Sequence, residues 1–159
     1  MARTLRIGSG AAWWGDRVSP AQLNAERGDL DYLCFETMAE ATVSAAHVRA
    51  RRDPSFPGYD TYLDDRMRAV LPACMQRGTR IISNQGWINP EAAAARIVEL
   101  LRECGHHGVK VAAVGGSLVT ERAMELTDII METGQPTSTL ADTLISAEVY
   151  LGAEPIVAA

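Results

Sequence analysis

The chain has 159 residues, 47% of them hydrophobic, and a net charge of −5. That is the size of one domain, apolar enough to build a core without a disulfide or metal staple. The acidic balance argues against a nucleic-acid partner, since neutralising phosphates takes clustered Lys and Arg; the longest basic block, Arg49–Arg52, reads as the solvated end of a helix. No apolar run reaches the roughly 18 residues that would span a bilayer, and the amino terminus carries no signal-peptide core. Cys34, Cys74 and Cys104 are far apart, odd in number and match no Cys-x-x-Cys spacing. Free thiols in a reducing, cytoplasmic compartment are therefore expected.

In chain order, residues 3–8 predict a strand that runs into a Gly-rich turn. Ser19-Pro20 offers an N-cap and a first-position proline for a helix that Gly28 closes. Residues 30–35, Leu-Asp-Tyr-Leu-Cys-Phe, predict a second strand. Thr37 and Glu40 have capping-box spacing for an alanine-rich helix over 38–52, broken by Asp53-Pro54. Leu63, Met67, Val70, Leu71 and Met75 have helical spacing within 60–77, where Pro72 should kink or split the helix. A third strand over 80–83 follows, then a helix capped by Asn89 that runs to about residue 103. A fourth strand is expected over 109–114, then helices over 118–132 and 140–151 around a polar loop.

Alternating strands and helices predict an α/β domain over residues 1–159: an open, mostly parallel sheet of about four or five strands with helices on both faces, Rossmann-like and three-layered. The last residues, Leu151–Ala159, look like the start of an apolar helix without a polar tail. This predicts either the amino-terminal piece of a larger protein or a homo-oligomer that hides this surface.

In such sheets ligands bind beyond the carboxyl ends of the strands. Four loops begin there, over residues 8–16, 36–37, 83–89 and 115–117. Glu36 is the sharpest candidate, directly after an apolar strand, where a carboxylate suits a general base or a hydroxyl acceptor; the plainer reading is a carboxylate favouring a helix start. Asn84 can orient a carbonyl or hydroxyl, and Asp16 offers a second carboxylate. Gly8, Ser9, Gly10, Trp14, Arg17, Thr37, Ser83, Gln85, Asn89 and Ser117 are the candidate substrate contacts, with Asn89 equally readable as an N-cap. Trp13, Trp14 and Trp87 could wall an apolar ligand or pack over the sheet end.

Two nucleotide readings compete. Gly8, Gly10 and Gly15 miss the G-x-G-x-x-G spacing, although Glu36 sits where dinucleotide folds hold ribose. Gly10 and Gly15 also fit half a P-loop, but Asp16 replaces the lysine that such a loop requires. Cys104, His106 and His107 fall at a helix end away from these loops, and no metal site is expected.

The same loops carry a family resemblance. Gly8 and Gly10 with Gly15-Asp16-Arg17, Asp31-Tyr32-Leu33 leading to Phe35–Glu40, Arg51–Pro54 with Gly58-Tyr59, Ile81 with Ser83-Asn84, Gly86, Asn89-Pro90, and Tyr150–Ile156 together resemble the amino-terminal part of the acyclic terpene utilisation (AtuA) family. The match runs along nearly the whole chain. The resemblance implies catabolism of acyclic terpenes or related branched acids through coenzyme A thioesters, with a carbon–carbon lyase step on a hydroxy-acyl-CoA as one suggested reaction. It also implies longer relatives with a second domain, and acidic residues where this chain has Gly115-Gly116-Ser117. The expected ligand is thus a small molecule, an acyl-CoA or hydroxy acid, with no separate cofactor. The alternatives are a non-catalytic binding or assembly module completed by another chain, and a dinucleotide-binding oxidoreductase domain.

Overall fold

A computed structural model describes residues 4–125 and 129–159. The chain divides into two compact units, one ending at Ala113 and the other spanning Val114–Ala159.

The first unit holds β1 (Ile7–Ala11), α1 (Val18–Arg27), β2 (Tyr32–Phe35), α2 (Glu40–Arg52), α3 (Leu63–Arg77), β3 (Arg80–Ser83) and α4 (Pro90–Glu103). The strands pair in parallel in the order β1-β2-β3. Central β2 alternates: Leu33 and Phe35 are buried while Tyr32 and Cys34 are half-buried, the pattern of a strand with one face on a core. Successive parallel strands laid down in one direction, joined by right-handed crossovers, put their crossovers on one face. Accordingly one core cluster joins Ala21 and Ala25 of α1, Leu33 and Phe35 of β2, Met67, Val70 and Leu71 of α3, and Leu100 of α4. Helices α1, α3 and α4 thus share one core with the sheet. Burial pushes the Cys74 thiol in this core up to about 11, so it behaves as a small hydrophobe.

The pairing of β1 with β2 slips between Ser9 and Ala11, leaving Gly10 as the extra residue. A Cβ on Gly10 would lie 2.5 Å from the Phe35 ring, so the backbone there can approach the core only as glycine.

The sheet has three strands rather than four or five. Residues 109–114 pair with nothing among the described residues. The physical reason lies in the segment itself: Lys110, Ala112 and Ala113 are exposed and supply little side chain to pack against a neighbour.

Several helix starts also differ from expectation. Helix α1 begins at Val18 with Arg17 at its N-cap and no side-chain cap, so Ser19 lies inside it. Helix α2 begins at Glu40 after Ala39, because the buried Thr37 turns its oxygens to the Trp87 indole and does not cap the helix. Helix α3 runs unbroken through the exposed Pro72, and Gly78 ends it in the left-handed conformation at φ +71°. Asn89 caps α4 as expected, its Oδ1 accepting from Ala92 N at 3.2 Å.

Helices α3 and α4 are tied by Arg96, which donates to Asp64 from Nε at 3.0 Å and from Nη2 at 2.5 Å, and which also meets Glu99 and Glu103. The Arg96 hydrogen bonds hold the Asp64 carboxyl below its ordinary 3.8. A depressed carboxylate stabilises the fold above its unfolded value and loses that contribution as pH falls through its folded value. Denaturation midpoints measured between about pH 5 and 2 should therefore fall less steeply in Asp64→Asn than in the parent chain. The difference should be small and should shrink in salt, since Asp64 is 38% exposed. Identical acid limbs would remove this network from the stability of the unit.

The second unit contains α5 (Thr120–Glu125), a 3₁₀ turn over Thr137–Leu140 and α6 (Glu154–Ala158), with isolated antiparallel bridges between Leu118 and Glu148 and between Ile129 and Pro136. The expected helix over 118–132 is realised only as α5, and its residues 126–128 lie outside the described residues. The expected helix over 140–151 does not form. The hydroxyls of Thr139 and Thr143 donate to Pro136 O and Leu140 O at 2.7 and 3.3 Å, local bonds that compete with a helical ladder. The apolar helix start read at the end of the chain is α6. Among the described residues, no helix is long and apolar enough to cross a membrane.

Candidate functional site

The parallel ladder places the first residues beyond β2 and β3 side by side, since Phe35 pairs with Ser83. Glu36 and Asn84 are therefore neighbours: Asn84 Nδ2 donates to Glu36 Oε1 at 2.9 Å. Met38 N donates to the same oxygen at 2.9 Å. Among the described residues, these two donors are the bonds Glu36 makes through its carboxylate, and both use Oε1. Asn84 Oδ1 in turn accepts from Thr37 N at 2.7 Å, which fixes the amide's orientation across the two loops.

Thr37 is 1% exposed. Its carbonyl and hydroxyl oxygens accept from Trp87 Nε1 at 3.2 and 3.3 Å, so it anchors an indole instead of capping α2. Trp87 itself adopts φ +43°, a left-handed conformation that costs a bulky residue of order 1–3 kcal/mol. The turn that imposes it is closed by Trp87 N to Asn84 O at 3.2 Å and Asn89 N to Gly86 O at 2.8 Å. This strain presents the indole to an aromatic group: Trp14 lies 6.4 Å from Trp87 and 5.7 Å from Tyr62, Phe56 lies 6.5 Å from Trp87, and Trp13 packs edge-on to Trp14 at 6.4 Å. Trp13 is 60% exposed. Polar groups at two strand ends thus stand beside an aromatic wall, the make-up of a site for a largely apolar ligand with a polar end.

The first loop is closed from within. Asp16 Oδ2 accepts from Ala12 N at 2.8 Å and Trp13 N at 3.0 Å. A phosphate cradle uses such backbone donors, and here an internal carboxylate already engages them. This weighs against pyrophosphate in the loop and gives Asp16 a loop-closing role. Arg17 is exposed at the N-cap of α1. Gly8 and Gly10 lie in β1 against Leu30 and Phe35, which accounts for them as packing positions. Ser9 Oγ donates to Ala11 O at 3.3 Å within the strand.

Gln85 is 1% exposed. Its Oε1 accepts from Ser83 Oγ at 3.1 Å, and its Nε2 donates to Asp60 Oδ2 at 3.1 Å. Asn89 links the start of α4 to the segment between α2 and α3, its Nδ2 donating to Pro57 O at 2.9 Å. Ser117 belongs to the second unit, where its carbonyl accepts from Val149 N at 2.8 Å. Of the expected site residues, the geometry therefore joins Glu36, Asn84, Thr37 and, through the indoles, Trp14. Ser83, Gln85, Asn89 and Asp16 serve the loops beneath.

Two buried residues that sequence reasoning passed over lie under this surface. Asp60 and Arg66 are both 0% exposed and form an ion pair through Arg66 Nη1 and Asp60 Oδ2. A signal for Arg66 was present: it falls three residues after Leu63 and one before Met67, on the apolar stripe of α3. A cation on a helix's buried face needs a buried partner. Cys104, His106 and His107 sit at the end of α4, where Cys104 is the C-cap, and among the described residues no group of His, Cys, Asp and Glu is arranged to hold a metal.

No curated protein and no solved structure matches the chain. A family model does: that of the acyclic terpene utilisation family protein AtuA, over residues 5–159. The chain therefore belongs to the AtuA family, which places it in acyclic terpene utilisation.

Proposed function

We propose that the strand-end surface of the first unit binds a branched acyl ligand, carried as a coenzyme A thioester or as a hydroxy acid, with Glu36 and Asn84 at its polar end and Trp14 and Trp87 along its apolar part. The observation that carries this reading is the Glu36–Asn84 hydrogen bond of 2.9 Å standing beside an indole held at φ +43°. Strain kept in this half-buried loop, next to the exposed Glu36, is the kind that clusters where a surface is built for contact rather than for stability alone.

The reaction that suits the geometry is carbon–carbon cleavage of a 3-hydroxyacyl chain. Glu36 Oε2 takes the hydroxyl proton, the oxygen's electrons form a carbonyl, and the bond between the second and third carbons breaks. Its electron pair passes to the acyl group as an enolate, which an N–H donor such as Asn84 Nδ2 stabilises before it is protonated.

Thermal shift with free coenzyme A, geranyl-CoA and the corresponding free acid tests the binding step. A ligand at 100 times its dissociation constant stabilises by about 2.7 kcal/mol. A shift with geranyl-CoA or the acid supports the reading. No shift with any acyl compound counts against it, and favours a module that works only with a second chain.

A further inference from the structure

We infer that Asp60 and Arg66 form a positioning element that locks three separate loops into the geometry of the candidate site. The inference rests on that site reading for its purpose, but the contacts stand by themselves. Arg66 Nη2 donates to Trp14 O at 2.6 Å and to Asp16 O at 3.2 Å, so the guanidinium holds the loop between β1 and α1 by its backbone. Its other end pairs with Asp60. Asp60 Oδ1 accepts from Tyr62 N at 2.9 Å, which shapes the entry to α3, and Asp60 N donates to Gln85 O at 2.9 Å. Asp60 Oδ2 also accepts from Gln85 Nε2 at 3.1 Å, which holds the loop after β3. One ion pair thus meets the loop that carries Trp14, the loop that carries Tyr62, and the loop that carries Asn84 and Trp87.

Only a guanidinium suits this place. It offers a planar fork that reaches a carboxylate on one side and two carbonyls on the other, which a lysine ammonium cannot span. Burying both charges is costly in desolvation, and a well-packed apolar pair of similar volume often serves stability as well. What an apolar pair cannot supply is directed bonds to two carbonyl oxygens and an amide. Arg66 and Asp60 touch no ligand in this scheme; they set where Trp14, Trp87 and Asn84 stand.

Amide hydrogen exchange across the full chain tests this, on the parent and on an Asp60→Asn/Arg66→Met double variant that leaves no lone buried charge. Exchange in residues 12–16, 58–62 and 84–88 should rise by about tenfold or more, while β2 and the core turns of α3 stay within about threefold. A uniform rise through sheet and helices, or unchanged loops, would overturn the inference. If the double variant does not fold, Arg66→Lys decides: faster exchange confined to residues 12–16 supports the inference, and loops that all stay as protected as in the parent defeat it. The exchange pattern is read without ligand. A chain that shows the loop-selective pattern yet binds no geranyl-CoA therefore refutes the site reading and leaves the positioning element standing.

Discussion

Arg66→Met should destabilise the first unit by about 3–5 kcal/mol, because it leaves the Asp60 carboxylate buried without its counter-charge. Asp60 is 0% exposed, and with Arg66 gone its carboxylate keeps, among the described residues, the Tyr62 N and Gln85 Nε2 donors. Two neutral donors do not replace the solvation of a full charge. The Trp14 and Asp16 carbonyls lose their guanidinium donor in the same step. Removing both charges should cost clearly less than removing one, so the Asp60→Asn/Arg66→Met chain should be more stable than Arg66→Met alone, which is the reverse of additivity. Urea denaturation of the three variants and the parent provides the cycle. A single-variant loss under about 1 kcal/mol, or a double variant that loses the sum, would show that the two charges are not coupled as the geometry has them.

On the proposed function, Glu36→Gln should lower carbon–carbon cleavage of a branched 3-hydroxyacyl-CoA by about 10²–10⁴-fold, the usual contribution of a positioned general base. The fold should hardly notice. Glu36 is exposed, and a glutamine carbonyl can still accept from Met38 N and Asn84 Nδ2. The stability change should therefore stay within about 0.5 kcal/mol. Binding of geranyl-CoA, read by thermal shift, should persist, because the aromatic wall is untouched. Turnover equal to the parent's would remove Glu36 from any proton-transfer role. Lost turnover with an equally lost fold would place the residue among those that hold the loops.

What the sequence disclosed, and what it hid, follows from where each signal lies along the chain. Strands β2 and β3 were legible because β2 packs apolar residues into four positions and Gly78 marks the end of α3, just before β3, by its left-handed turn, whereas β1, expected over 3–8, lies at Ile7–Ala11 and takes Gly8, Ser9 and Gly10 out of the loop. The pairing of Glu36 with Asn84 was legible in outline: both directly follow a strand, and parallel strands end together. Residues 109–114 misled, since Val109, Val111 and Val114 suggest a strand while the intervening Lys110, Ala112 and Ala113 offer it nothing to pack. Thr37 and Glu40 have the spacing of a capping box, but Trp87, fifty residues away, claims the threonine. Such long-range competition leaves no trace in local spacing. The Asp60–Arg66 pair was hidden for a related reason. Arg66 stands out on the apolar stripe of α3, but Asp60 is ordinary in its own stretch, and only folding brings the two together.

The Asp16 carboxylate sits across the two loop amides like a resident anion, supplied by the chain to itself. Its consequence concerns what the scaffold could become. Descent or design toward a nucleotide site would ordinarily begin by adding glycines to such a loop. Here that would achieve little, because the donors are already spoken for and a phosphate approaching them would meet a like charge held 2.8 Å from Ala12 N. Any such conversion must first evict its own occupant at residue 16, and accept the slackened loop that follows.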